Sequence, residues 1–238
     1  MLDVASGWGL LFPAIRRYLP SMLPYCIAEM TGEAIVCDGY QISCSHFECD
    51  RDVLEHDDQS FATVLFFDCL EHLIVDPIWT LLEFNRVLRL GGHVAINTPS
   101  AIGAFKVLAI FGGENPATEN FIKPTAIYQR HNREWTPREV RLALECCGFE
   151  VAAITTNASR LSPLEQKVLN LARKEGLVKL ENEYYGPEIF AIGRKIRHLT
   201  VRSHLAKEQR WPEWLYSSFE GYRKRPKAWP IVVGDDYC

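Results

Sequence analysis

Two rhythms of apolar residues alternate along this chain. Short continuous runs occur at Met1–Val4, Pro24–Met30, Phe47–Asp50, Phe61–Phe67 and Glu188–Lys195, each short enough for a buried strand. Between them, apolar residues return every three or four places. That spacing predicts a first helix over Leu10–Tyr18, with Pro13 tolerated in its first turn and Leu19-Pro20 ending it. It predicts a second through apolar positions 78, 81, 82, 84, 87 and 88, with Gly91-Gly92 as its stop, and others near 101–111, 137–147 and 161–180. Thr136 with Glu139 three places on reads as a capping box, Pro137 occupies the first helical position, and Gly148 ends that helix. Strand, helix, strand in repeated order implies parallel pairs and an α/β fold.

Composition narrows the class. With 238 residues and 47% hydrophobic content, the chain can bury a core of one domain with additions. No apolar run reaches the roughly 18 residues of a membrane span, and the start lacks the zones of a signal peptide, so a cytoplasmic location is expected. Eight cysteines form no CxxC pair, which argues against a zinc ribbon or redox motif. From Ala191 onward ten Lys/Arg face five Asp/Glu, a local +5, so residues 1–190 carry −9 of the total −4. An acidic body lacks the continuous positive surface that phosphate backbones require, and no nucleic-acid partner is expected.

The chemistry is concentrated at the start. Asp3-Val4-Ala5-Ser6-Gly7-Trp8-Gly9 places an acid, then small residues and glycines at alternate positions, between an apolar run and a helical one. Such a turn brings backbone N–H groups close to a ligand. A dinucleotide fingerprint requires a further glycine where Phe12 stands, which disfavours a nicotinamide-dependent oxidoreductase. The tighter pattern resembles motif I of the class I S-adenosylmethionine-dependent methyltransferases, although Ala5 stands where that family usually has glycine. A chance glycine turn is the plain alternative.

Glu29 ends the second run, 20 residues beyond Gly9, at the spacing of a ribose-binding acid; Asp38, after a further apolar stretch, competes with it. Asp50 precedes Phe61 by 11 places, as in methyltransferases of the type 11 kind. The segments Ser60–Leu73, Asp76-Pro77 and Leu82–Pro99, with Gly91-Gly92 inside the last, are similar to that family's fourth strand, helix and fifth strand. Phe61-Ala62 departs from the usual Phe-Asp. The resemblance covers residues 1–195 and implies a doubly wound, mostly parallel, seven-stranded Rossmann-like sheet with an antiparallel edge strand, Glu188–Lys195 being the last strand. It implies S-adenosylmethionine as cofactor, with Asp3, Ala5, Gly7, Gly9, Glu29, Asp50, Arg51 and Phe67 as its binding residues. The bland reading of Asp50 is a loop acid among other acids. Only Met1 and Leu2 precede Asp3, whereas family members carry a fuller first strand, which implies a donor pocket open on one side.

Residues 100–135 form the expected substrate-facing insertion. The apolar stretch from Ala101 to Phe111 is read as a lid or as a contact for a lipid-linked acceptor. Tyr128–Trp135 is a polar, aromatic loop in which His131 is the candidate base, its unperturbed pKa lying near working pH; bracing by Tyr128 or Glu134 is the alternative. Arg130 and Arg133 suit an anionic group on the acceptor. Asp68, Glu71 and His72, with His131 as a fourth, have ligand-type spacing. Glu-His-Leu is nevertheless common at this place in the family as a packing and capping element, so no metal is expected. The organisation read is a methyltransferase domain over 1–198 and an aromatic, basic extension over 199–238, expected to wrap the body or make a homo-oligomer. The function implied is methyl transfer to a small molecule or glycan at oxygen, with a non-catalytic binding module of the same fold as the alternative.

Overall fold

The computed structural model describes residues 1–50, 52–117, 120, 122, 129–178 and 182–199. In chain order the regular elements are β1 (Leu2–Val4), α1 (Phe12–Tyr18), β2 (Cys26–Glu29), β3 (Ile35–Cys37), β4 (Tyr40–Ile42), β5 (Cys44–His46) and β6 (Phe61–Phe67). They continue with α2 (Pro77–Val87), β7 (Leu88–Pro99), α3 (Ala104–Phe111), α4 (Pro137–Cys146), β8 (Phe149–Thr156), α5 (Pro163–Lys174) and β9 (Glu188–Lys195).

Seven strands make one sheet in the order β5-β2-β1-β6-β7-β9-β8. The first five are parallel, while β9 runs antiparallel to both β7 and β8. This is the mostly parallel, Rossmann-like α/β architecture expected, with its antiparallel pairing at one margin. β9 lies one place in from that margin, and β8 forms the edge itself. The parallel strands are buried because helices and loops cover both faces, which accounts for continuous apolar runs such as Phe61–Phe67. Leu2, Val4, Val64, Phe66, Leu81, Phe84, Val94 and Ile96 form the centre of the larger core. A second cluster of Phe12, Ile15, Tyr25, Ile27, Ile35 and Ile42 seats α1 on the other face.

Three local expectations need correction. The third sheet strand is Cys44–His46, not Phe47–Asp50: β5 is an edge strand of small and polar residues, held by its ladder to β2, and the apolar Phe47 beyond it is buried in the core. The connection from β2 to β5 contains the β3–β4 hairpin, whose turn is Asp38-Gly39 with both residues at positive φ. Asp38 therefore stands in an exposed hairpin turn, 3.1 Å from Arg16, away from the main sheet. Finally, α2 ends at Val87, before the glycines, and Gly91-Gly92 lie within the run of β7. There the register against β6 shifts, and a Cβ on Gly92 would stand 2.8 Å from the Arg89 carbonyl oxygen.

Leu199 packs in the main core and its N–H donates to Asn85 Oδ1 at 3.1 Å, so the chain is still tied to the domain at the expected boundary. The rest of the extension lies outside the described residues. Among the described residues no helix is long and apolar enough to cross a membrane.

Candidate functional site

Ligands of open α/β sheets bind beyond the carboxyl ends of the strands where the strand order reverses. Here that place is the tip of β1, between β2 and β6. Val4 is level with Ala28 on one side and Phe66 on the other, so the next residues, Glu29 and Phe67, flank the start of the Ala5–Gly9 loop. Ala5 extends the ladder by one bond, its N–H donating to the Ala28 carbonyl at 2.9 Å, and then the chain turns. Ala5, Gly7 and Gly9 all have positive φ, at 56°, 60° and 69°. Gly9 is also required for packing, since a Cβ there would stand 3.1 Å from Ile27 Cδ1. Gly7 is different: it is exposed and a Cβ would meet nothing within 4 Å, which leaves space for a ligand to approach its backbone.

Glu29 is joined to this loop directly, because the Gly7 N–H donates to Glu29 Oε1 at 2.5 Å. The other oxygen takes a longer bond from the Met30 N–H at 3.3 Å. Asp3 is placed otherwise. Its carboxyl is buried under the loop and accepts from the Tyr25 hydroxyl, and burial raises its pKa to about 6.

Asp50 lies just past β5, buried, and accepts from the N–H groups of Ile74 at 2.8 Å and Val75 at 3.4 Å. Burial pushes its pKa up in spite of those bonds. Its carboxylate thus ties the loop after β5 to the loop entering α2. Arg51 lies outside the described residues. A pair that sequence reasoning passed over organises the same loop. Arg86 on α2 forms an ion pair with buried Glu83 at 2.6 Å and donates to the carbonyls of Leu54 and His56, both at 2.9 Å. Glu83 in turn accepts from the Leu54 N–H at 2.8 Å. The signal was present as an acid three places before a basic residue on an otherwise apolar helix.

The second half of the site follows β6. A 3-10 turn, Leu70–His72, is stitched to the 130–133 loop: the Asn132 N–H donates to the Glu71 carbonyl and Asn132 Nδ2 to the His72 carbonyl, at 2.8 and 2.9 Å. The Glu71 carboxylate is buried and accepts from the Thr98 hydroxyl at 2.9 Å; burial raises its pKa. His131 stands against His72, ring centroids 5.0 Å apart, with its Nδ1 3.1 Å from Glu134 Oε1. Glu134 is held on its other oxygen by buried Lys106 of α3. The bracing of His131 by Glu134, foreseen as the alternative to a base, is therefore present. Tyr128 lies outside the described residues. Arg133 lies over the Trp135 ring and pairs with Glu139 at 2.6 Å. Asp68, expected among the ligand-type residues, is exposed at the tip of β6 with φ 49° and is not part of the Glu71, His72, His131 group.

Residues 1–154 match the family model described as a methyltransferase domain, and the chain belongs to that family. Its sheet order and glycine loop are those of the class I methyltransferase fold. Solved structures of similar fold include an Archaeoglobus fulgidus SAM-dependent methyltransferase, 16% identical, with TM-score 0.52 over 82% of this chain and 85% of that one. A chain in the complex of the Haloferax volcanii Trm112 methyltransferase activator with a methyltransferase gives 16% identity and TM-score 0.52 over 82% of each chain. A Haemonchus contortus phosphoethanolamine N-methyltransferase bound to phosphomonomethylethanolamine and S-adenosylhomocysteine gives 15% identity and TM-score 0.50, over 83% of this chain and 49% of that one. No curated protein sequence matches.

Proposed function

We propose that the chain transfers a methyl group from S-adenosylmethionine to an oxygen of a small-molecule or glycan acceptor. The observation that carries this reading is the Ala5–Gly9 loop, open at Gly7 and joined to the Glu29 carboxylate at the switch point of the sheet. Backbone N–H groups of such a loop suit the donor's polar end, and a carboxylate at the tip of β2 suits two vicinal ribose hydroxyls. Phe67 lies on the opposite side of the loop. Asp3 and Asp50 serve the same site by holding its two loops. The donor supplies an activated methyl group. The chain's task is to align an acceptor oxygen with it and to manage one proton. His131, on the acceptor side and oriented by Glu134, is the residue for that proton. The seven described cysteines are free thiols, which supports a reducing, cytoplasmic setting. Self-association through residues 200–238 is part of the proposal, on their aromatic content alone.

The same Glu29 bond, together with those of Asp50, also supports a second reading. The Glu29 and Asp50 carboxylates are already engaged by the chain's own N–H groups, as a binding module without a donor would arrange them. Isothermal titration decides between them. The enzyme reading requires saturable binding of S-adenosylhomocysteine and none of NADH; absence of both supports the module, and binding of NADH alone overturns both. Loss of Glu29 contacts to ribose at about 1.5 kcal/mol each amounts to roughly tenfold to a hundredfold in affinity. Glu29→Ala should weaken S-adenosylhomocysteine by that much with the fold intact; unchanged affinity would remove Glu29 from the donor site. Methyl transfer assayed over sugar and quinol acceptors then addresses the acceptor.

A further inference from the structure

Three groups that ligate metals meet between the Leu70–His72 turn and the 130–134 loop. Glu71, His72 and His131 each offer one ligand atom, and these atoms all lie within 4.8 Å of one another. Their hydrogen bonds determine what they offer. His72 Nδ1 is 2.9 Å from the carbonyl oxygen of Arg130, which can only accept, so Nδ1 donates to it and Nε2 is the ring nitrogen left to face a ligand. His131 Nδ1 faces a Glu134 carboxylate oxygen at 3.1 Å, so Nε2 is the nitrogen this ring can offer elsewhere. Asn120 reaches this Nδ1 at 3.3 Å with a side-chain amide whose two ends interchange by a flip. Glu71 Oε2 is taken by Thr98, while Oε1 stands 3.7 Å from His72 Nε2. Two imidazole rings and a buried carboxylate thus converge in one cluster, while the Lys106 ammonium is engaged by Glu134.

We propose that Glu71, His72 and His131 bind one divalent transition-metal cation of the zinc or manganese class. Each histidine already donates its other ring nitrogen to a carbonyl or carboxylate, the outer support that fixes the ring of a metal-bound histidine. Two nitrogens and one carboxylate favour such ions over magnesium and calcium, which take oxygen ligands. Bonds of about 2.0–2.2 Å require the three atoms to draw together, by on the order of 1 Å. Three protein ligands leave a position open. That position lies beside the loop read above as facing the acceptor, so an acceptor oxygen is its natural occupant. One Nε2 lone pair cannot serve both a cation and a proton, so with the cation bound His131 is a ligand and not the base.

The test is metal uptake by the full-length protein, stripped with chelator and titrated with zinc, manganese and magnesium chlorides. Bound metal is counted by mass spectrometry, and visible absorption after cobalt substitution reports the ligand field. The proposal expects one equivalent of zinc or manganese, no saturable magnesium, and loss of at least tenfold in affinity in His72→Ala and in His131→Ala. S-adenosylhomocysteine binding by the same two variants should be unchanged, so failure of the donor assignment and failure of the metal site show up in different titrations. Glu71→Gln completes the set, but the buried carboxylate makes that variant prone to misfold, so the two histidine variants decide. Absence of stoichiometric uptake, or uptake that survives both histidine variants, overturns the site.

Discussion

Ala5 holds a backbone conformation, φ 56°, in which its Cβ is crowded by the carbonyl that follows. The left-handed region costs an L-residue about 1–2 kcal/mol, and glycine would remove that cost while losing part of it to chain entropy. Ala5→Gly should therefore stabilise the protein by about 1 kcal/mol, a rise of roughly 2–4 °C in calorimetric midpoint for a chain of this size. A fall in the midpoint would mean that the methyl group packs usefully against the core. Asp3 makes a second residue-scale prediction. Its carboxyl pKa is raised to about 6 in the folded protein, from an ordinary 3.8, because burial disfavours the charge. The folded state then binds the proton more tightly than the unfolded state, so stability declines as pH rises from about 4 to 6 and stays lower above that window. The shift corresponds to a cost on the order of 3 kcal/mol at neutral pH. In urea titrations at a series of pH values, Asp3→Asn should lack that decline; an identical slope in both proteins would show that Asp3 titrates normally.

At the scale of elements, the loop after β5 depends on α2 for its shape. Arg86 is pinned to Glu83, Asp58 and two carbonyls, and its loss leaves Glu83 as a buried carboxylate without its cation. Arg86→Met should destabilise by about 3–5 kcal/mol and should raise hydrogen exchange at residues 54–58 before exchange elsewhere. Uniform loss of protection would indicate that the pair holds the whole domain instead. The start of α4 carries both bonds of a capping box, Thr136 Oγ accepting from the Glu139 N–H and the Glu139 carboxylate from the Thr136 N–H. Thr136→Ala is expected to cost about 1 kcal/mol by urea unfolding. The 130–135 loop leads into this cap. A metal titration of that variant would therefore show whether the helix start also positions His131. This capping box was visible in the chain because it is local: donor and acceptor are three residues apart. The strand β5 was misplaced by three residues for the opposite reason, since Cys44-Ser45-His46 has no apolar pattern and is a strand only by virtue of its partner.

For the whole molecule, the same distinction separates what was legible from what was not. Buried strand runs, helix periods and the glycine turn follow from short-range rules about burial and backbone freedom. They were enough to define an α/β fold with a glycine turn after its first strand; the resemblance of the motifs between Asp3 and Pro99 added the methyltransferase family and the placing of Gly7, Gly9 and Glu29 near one another. Where each side chain's hydrogen bonds go is a matter of groups distant in the chain. Asp50 is engaged by amides 24 and 25 residues away, Glu71 by a hydroxyl 27 residues away, and His72 by a carbonyl 58 residues away. Local pattern therefore settled the elements and their class. Folding alone decided that Asp3 bonds Tyr25, that Asp50 bonds the Ile74 and Val75 amides, and that Glu71, His72 and His131, but not Asp68, lie side by side, because a buried polar group takes whichever partner the packed chain brings within reach.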